Sequence, residues 1–136
     1  MTLVQQRAAH ALKQIEGVSS AGKYPSYVKS LPATILTNGL GQALAMLKAQ
    51  AKGDKKDPHH LLYTHMESWL CGKEPHMQTG GKSDIKHTAA PYKGQANIMT
   101  AIINQPEQSY LLAQAEALAY LEWLKKFASA YLTEGS

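Results

Sequence analysis

Apolar residues recur along this chain with a helical period almost throughout, and no segment alternates with the period of two that a half-buried strand requires. In the first segment, Leu3 to Glu16, Val4, Ala8, Ala11, Leu12 and Ile15 form one stripe. Gln6, Arg7, His10, Lys13 and Gln14 fall on the other side, and Gly17 with Ser19-Ser20 ends the pattern. Tyr24, Tyr27, Val28, Leu31 and Ile35 carry a second helical stripe with Pro32 inside it. Either the helix kinks at that proline or Ser30 caps a shorter helix. A third stripe follows at Leu40, Ala43, Leu44, Leu47 and Ala51, and the run Gly53 to Pro58 reads as a turn. A fourth helix spans about His59 to Cys71, with Leu61, Leu62, His65, Met66 and Trp69 on its apolar side.

The 23 residues from Gly72 to Gly94 hold no sustained period. Unstructured connections longer than about 15 residues are uncommon in compact domains, so residues 72–94 are expected to be a mobile loop carrying Lys73, Lys82, Lys86 and Lys93. Two helices close the chain, a short one around Gln95 to Asn104 and a long one from Pro106 to about Leu132. The last has apolar residues on nearly every side (Leu111, Leu112, Ala115, Leu118, Leu121, Trp123, Leu124, Phe127), which suits the hub of a bundle. The expected architecture is all-α: one compact domain over residues 1–136, about six helices around a long C-terminal hub.

The stretch TNGLGQAL, from Thr37 to Leu44, offers a choice between a phosphate cradle and a helical hairpin. A phosphate loop needs a preceding strand, and its lysine-serine ending or full GxGxxG spacing is missing. The residues before it, Leu31 to Leu36, read as helix. Asn38 tolerates the left-handed conformation, Gly39 adopts it without strain, and Gly41 allows close approach to a neighbour, so the three read as a structural turn.

Candidate chemistry is sparse. His59, His60, His65, Cys71 and His76 lie close in sequence, but without the Cys-x-x-Cys or His-x-x-x-His spacing that sets metal ligands side by side. His65 faces the apolar stripe. Cys71 and His76 form a conceivable dyad without an orienting third group, and Asp54 and Asp57 sit in a turn where water solvates them. No catalytic residue, metal site, cofactor or small-molecule substrate is expected. The lone cysteine fits a reducing compartment, and the N-terminus lacks the apolar run of a signal peptide, so a soluble cytoplasmic protein without a membrane span is expected.

Charge adds more. Residues 1–104 hold 12 Lys/Arg against 6 Asp/Glu, whereas residues 105–136 hold 2 against 4. Such a basic body suits a polyanion or an acidic partner; ordinary solubility charge explains it as well. Arg7, Lys13, Lys48, Lys52, Lys55, Lys56, Lys82, Lys86 and Lys93 are the candidates for contact with a phosphate backbone. No recognition helix accompanies them, so such binding would be indifferent to sequence. Met46 projects off the apolar stripe of its helix and is a candidate for contact with another protein subunit.

The stretch from Tyr24 to Gln50, YPSYVKSLPATILTNGLGQALAMLKAQ, resembles the signature of the small subunit of type III-B CRISPR effector complexes, the fifth protein of the Cmr module. The Leu31-Pro32 pair, NGLGQAL from Asn38 to Leu44 and the AML that follows carry the likeness. RAAHALKQIEG near the start and EALAYLEWLKKFASAYL near the end are similar in character to the family's first and last helices. The resemblance implies a small all-α protein without catalytic activity. Copies of it would stack beside the subunits that hold the guide, as a minor filament with a basic surface near the guide–target RNA duplex. It implies partners too: other Cmr subunits, copies of itself, guide RNA and target RNA. Met46 stands where an aromatic residue is usual in that family. A helical protein–protein adaptor without a nucleic-acid role and a small metal-dependent enzyme on the histidine cluster are the competing readings.

Overall fold

The computed structural model describes residues 1–76 and 90–133. Among the described residues six α-helices follow one another: α1 (Leu3–Glu16), α2 (Tyr24–Asn38), α3 (Leu40–Ala51), α4 (Pro58–Leu70), α5 (Ile98–Asn104) and α6 (Glu107–Tyr131). The described residues contain no strand. The long helix α6 packs against α1, α2, α3 and α4, while α2 and α3 lie side by side as an antiparallel hairpin that also contacts α4. The buried face of α6 is Ala113, Glu116, Ala117, Tyr120, Leu121, Leu124 and Ala128. Leu111 and Leu112, expected inside, are 61% and 59% exposed.

Local chemistry sets the helix ends. Thr2 and Gln5 form a reciprocal capping box, with Gln5 N donating to Thr2 Oγ1 at 3.1 Å and Thr2 N to Gln5 Oε1 at 2.8 Å. Asn97 caps α5 by accepting from Thr100 N, so that helix starts at Ile98 rather than Gln95. Asp57 caps α4 by accepting from His59 N at 2.7 Å, and Asp54 accepts from Lys56 N at 2.9 Å. Both aspartates, expected to be merely solvated, therefore build the turn. Helix α2 runs unbroken through Pro32, and Ser30 is no cap: its hydroxyl donates back to Ser26 O at 2.9 Å.

The face buried by α1 differs from its apolar stripe. His10 and Gln14 are wholly buried together with Ala11 and Ile15, and Val4 is 52% exposed. These polar side chains are retained in the core because their hydrogen-bonding groups are used. Gln14 Nε2 donates to Tyr120 Oη and, at 3.3 Å, to His65 O, while Gln14 Oε1 accepts from His76 N at 3.1 Å. The His10 ring bonds Tyr120 Oη through Nδ1 at 2.8 Å and Lys73 O through Nε2 at 3.1 Å. Tyr120 also stacks on Trp69, ring centroids 4.9 Å apart.

The same contacts hold down the first residues after α4. On the other side of the segment expected to be mobile, Tyr92 is buried, its N–H donates to Leu70 O at 2.9 Å, and Gly94 N donates to Cys71 O at 3.2 Å. Residues 72–76 and 90–94 are thus packed on the core, and residues 77–89, with Lys82 and Lys86, lie outside the described residues.

Candidate nucleic-acid interface

At the α2–α3 junction the backbone amides are spent inside the fold. Leu40 N donates to Gln114 Oε1 at 2.9 Å and Gly41 N to Tyr110 Oη at 3.0 Å, so no phosphate finds free donors at these two positions. Gly39 has φ +86° and ψ 158°, a region almost reserved for glycine, and a Cβ there would lie 2.8 Å from Tyr110 Oη. Asn38 is the last residue of α2 and donates from its side chain to Thr34 O; it does not take the left-handed conformation suggested for it. The close approach also falls at Gly39 and not at Gly41, where a Cβ would meet Ile102 Cγ2 at an ordinary 3.5 Å.

The other end of α3 carries charge. Lys52 caps the helix in the left-handed region at φ +52°, and Lys52, Lys55 and Lys56 are all exposed. Gly22 abuts Pro58, which brings Lys23 to this same end. Lys48, one turn back on α3, is exposed but sits over the Tyr63 ring, its Nζ 4.7 Å from the centroid. None of these five lysines forms a salt bridge among the described residues. Lys13, Lys29 and Lys93 are likewise exposed without an ion pair there. Lys23 and Lys29 escape spacing arguments, because each stands alone in the sequence; only the helix faces reveal them.

Arg7 leaves the set of phosphate-contact candidates. Its guanidinium forms a two-point ion pair with Glu116, Nε to Oε2 at 2.7 Å and Nη2 to Oε1 at 2.8 Å, and Glu116 also accepts from the Trp69 indole at 2.9 Å. Glu116 is 8% exposed, so the pair is a structural clamp between α1 and α6. The hydrogen bond to Glu116 holds the arginine even more firmly in its charged form. Lys73 is also committed, to Ala96 O at 2.7 Å and Glu67 at 3.4 Å.

His65 lies near His10 and near His76, ring centroids 6.2 Å from the latter, but these rings do not form a ligand set. No group of three His, Cys, Asp or Glu side chains among the described residues is arranged to hold a metal. His59 Nδ1 pairs with Asp57 at 2.8 Å, and His65 is fully buried with its Nδ1 2.6 Å from Tyr24 Oη. Burial, with His76 and His10 nearby, pushes the His65 imidazole well below its ordinary protonation range. Burial and the neighbouring Glu67 push the Cys71 thiol up to about 11, so it is no thiolate nucleophile at neutral pH.

Between α2 and α3 lies a groove of about 280 Å³. Ser30, Thr34 and Met46 line its length, and Tyr27, Gln50 and His59 close the end that meets the lysine-bearing turn. Tyr27 and His59 stack there, ring centroids 3.8 Å apart and planes 15° off parallel. Met46 is 42% exposed at the groove's edge. No helix among the described residues is long and apolar enough to cross a membrane.

Comparison with known proteins gives the frame for this surface. The chain is similar over 98% of its length, and over 99% of the other chain, to the crystal structure of a CRISPR-associated Cmr5 family protein from Thermus thermophilus, with a TM-score of 0.65 and 24% identity. That likeness shows a shared fold. The family model for the CRISPR-associated protein Cmr5 matches residues 3–131, from the first residue of α1 to the last of α6. The chain therefore belongs to the Cmr5 family of CRISPR-associated proteins.

Proposed function

We propose that this protein is a non-catalytic structural subunit of a type III-B CRISPR ribonucleoprotein, acting in the cytoplasm in defence against invading RNA. In this reading its copies stack along the guide–target duplex, and the end of the bundle formed by Lys23, Lys52, Lys55 and Lys56 faces the phosphate backbone. The observation that carries the reading is this group of exposed lysines, without an ion pair among the described residues, on a chain of the Cmr5 family. Each contact acts by releasing counterions, so it needs no base pattern and fades with salt. One copy with a few phosphate contacts binds feebly; stacked copies on one duplex combine small affinities at high effective concentration.

A second surface supports contacts with other subunits. Leu36, Ile103, Leu111 and Leu112 are exposed around the end of the bundle opposite the lysine-bearing turn, where Glu107 is the charged neighbour of Leu111 on α6, and the sequence holds no charged residue between Lys29 and Lys48. Depletion of charge around exposed apolar side chains is the composition of a protein interface core. The buried Cys71 thiol, held protonated at neutral pH, supports a role without chemistry.

The test is a variant carrying Lys48→Glu, Lys52→Glu, Lys55→Glu and Lys56→Glu, built into reconstituted complexes. Target-RNA affinity should fall at physiological salt, with subunit stoichiometry checked on the same samples and the fold unchanged. Unchanged affinity at full stoichiometry would turn this end away from RNA and leave the adaptor reading standing.

A further inference from the structure

The groove between α2 and α3 ends at the lysine-bearing turn, and its lining differs from that of an ordinary helix crevice. Ser30 Oγ and Thr34 Oγ1 donate their protons to carbonyls of their own helix, to Ser26 O at 2.9 Å and Ser30 O at 3.2 Å. Their lone pairs remain available as acceptors. Gln50 is exposed, and its amide makes no hydrogen bond within the described residues, so it offers both a donor and an acceptor. His59 has Nδ1 fixed by Asp57, which fixes the ring plane against Tyr27. No carboxylate lines the groove. Gln50 precedes Lys52 by two residues and His59 follows Lys56 by three, so the polar and aromatic end opens beside the cationic turn.

We propose that this groove is a binding site for one unpaired nucleobase of an RNA strand whose phosphates lie on Lys52, Lys55 and Lys56, a proposal that rests on the function given above. The stacked Tyr27–His59 pair supplies a flat aromatic surface, and the Met46 side chain a polarisable wall. The volume, about 280 Å³, accommodates a single base with part of its sugar. Ser30, Thr34 and Gln50 pair with whichever amino or imino groups the base presents. Adjustable acceptors and a rotatable amide discriminate little among bases, so the site reads the presence of a base and not its identity. A paired base cannot enter, since its hydrogen-bonding edge is occupied and its neighbours stack on both faces. Positive charge at the mouth favours a nucleotide over an uncharged apolar side chain as the occupant.

The test compares fluorescent single-stranded RNA with an abasic ribose-phosphate strand of the same length and charge, binding to the full chain at low ionic strength. The native chain should prefer the base-bearing strand by at least about fivefold, the contribution of one aromatic stack. Gln50→Ala and Tyr27→Leu should remove that preference while leaving affinity for the abasic strand unchanged; Gln50 is exposed, so its variant keeps the fold even if Tyr27→Leu perturbs it. Irradiation of 4-thiouridine RNA should crosslink to the peptide containing Tyr27 or Met46. Equal binding of the two strands, with both sensitive to Lys52→Glu, Lys55→Glu and Lys56→Glu, would overturn the base site and leave the backbone reading intact. Insensitivity to those lysine changes would sink both, and no binding of either strand would overturn the base site. Groove variants that keep the base preference but lower incorporation into the complex would make the groove a protein contact and overturn the proposal.

Discussion

The two ends of α3 use their polar groups in opposite ways. At Gly39–Gly41 every notable polar contact turns inward: two backbone amides are taken by Gln114 and Tyr110 of α6, and the chain carries no charged residue from Ser30 to Leu47. At Lys52–Lys56 the turn is closed by local aspartate bonds, and the ammonium groups have no carboxylate partner among the described residues. Arg7 shows that a cation on this protein need not be available. It belongs to the same basic count, yet the fold holds it in a clamp with Glu116. Net charge therefore says less about a partner than the set of cations that the fold has not already used.

The clamp is where the comparison breaks most severely. Glu116→Ala should destabilise the protein by about 2–4 kcal/mol, because it strands a partly buried guanidinium and removes the acceptor of the Trp69 indole. The figure lies toward the lower part of the range for buried pairs, since Arg7 retains some access to water. Glu116→Gln keeps the shape and the indole bond and should lose less. Chemical denaturation of both variants checks the order; equal stability of Glu116→Ala and the native chain would return Arg7 to the phosphate-contact candidates.

Next comes the uncharged turn. Gly39→Val should cost about 1–3 kcal/mol, as a β-branched residue is forced to φ +86° with its Cβ against Tyr110 Oη. Removing that oxygen by Tyr110→Phe relieves the clash but not the backbone strain, so the double variant should recover only part of the loss. Thermal unfolding measures both. Full recovery would make the hydroxyl contact, and not the dihedral angle, the reason for glycine.

Acid should act more gradually, on the buried polar layer between α1, α2, α4 and α6. In the unfolded chain His65 takes up a proton near the ordinary imidazole value of about 6.5, whereas in the folded chain its burial defers protonation to lower pH. Unfolding therefore takes up a proton, and stability present above about pH 6.5 is lost as pH falls below it. His60, near Lys48, is shifted downward mainly by burial and adds in the same direction, and the exposed His76, also shifted downward, adds less. Denaturation midpoints at about pH 7.5 and about pH 5.5, on either side of the ordinary imidazole value, should separate, and His65→Gln should narrow the gap. A gap of the same width in that variant would assign it to other groups.

How much of this was readable in the chain depends on how local each feature is. The end of α1 follows from Gly17, and the buried stripe of α3 follows from Leu40, Ala43, Leu44, Leu47 and Ala51, all within one helix. The motif between Asn38 and Leu44 carried the family, which the match over residues 3–131 bears out. The core role of His10, Gln14 and Arg7 was hidden, since their partners Tyr120 and Glu116 lie more than 100 residues away. Polar residues on an amphipathic helix read as solvated unless those partners are known. Lys23 and Lys29 were hidden for a simpler reason: single lysines form no run, and only packing shows which face they stand on.

The smallest effect is expected at Gly41, and it is the sharpest probe of why this turn is rich in glycine. Gly41 lies in the first turn of α3 without a positive φ, and an added Cβ would meet Ile102 and Tyr110 at 3.5–3.7 Å, ordinary contact distances. Its N–H bond to Tyr110 Oη does not involve the side chain and survives substitution. Alanine also restricts the unfolded chain more than glycine does, a gain of about 0.4–1 kcal/mol where the folded backbone accepts it. Slight crowding against Tyr110 offsets some of that gain. Gly41→Ala should therefore leave the unfolding temperature unchanged or raise it slightly, while Gly39→Ala, two residues away, lowers it. A loss at position 41 as large as that at position 39 would mean that the α3–α6 contact tolerates no added methyl, and that close packing rather than a single strained dihedral governs this end of the helix.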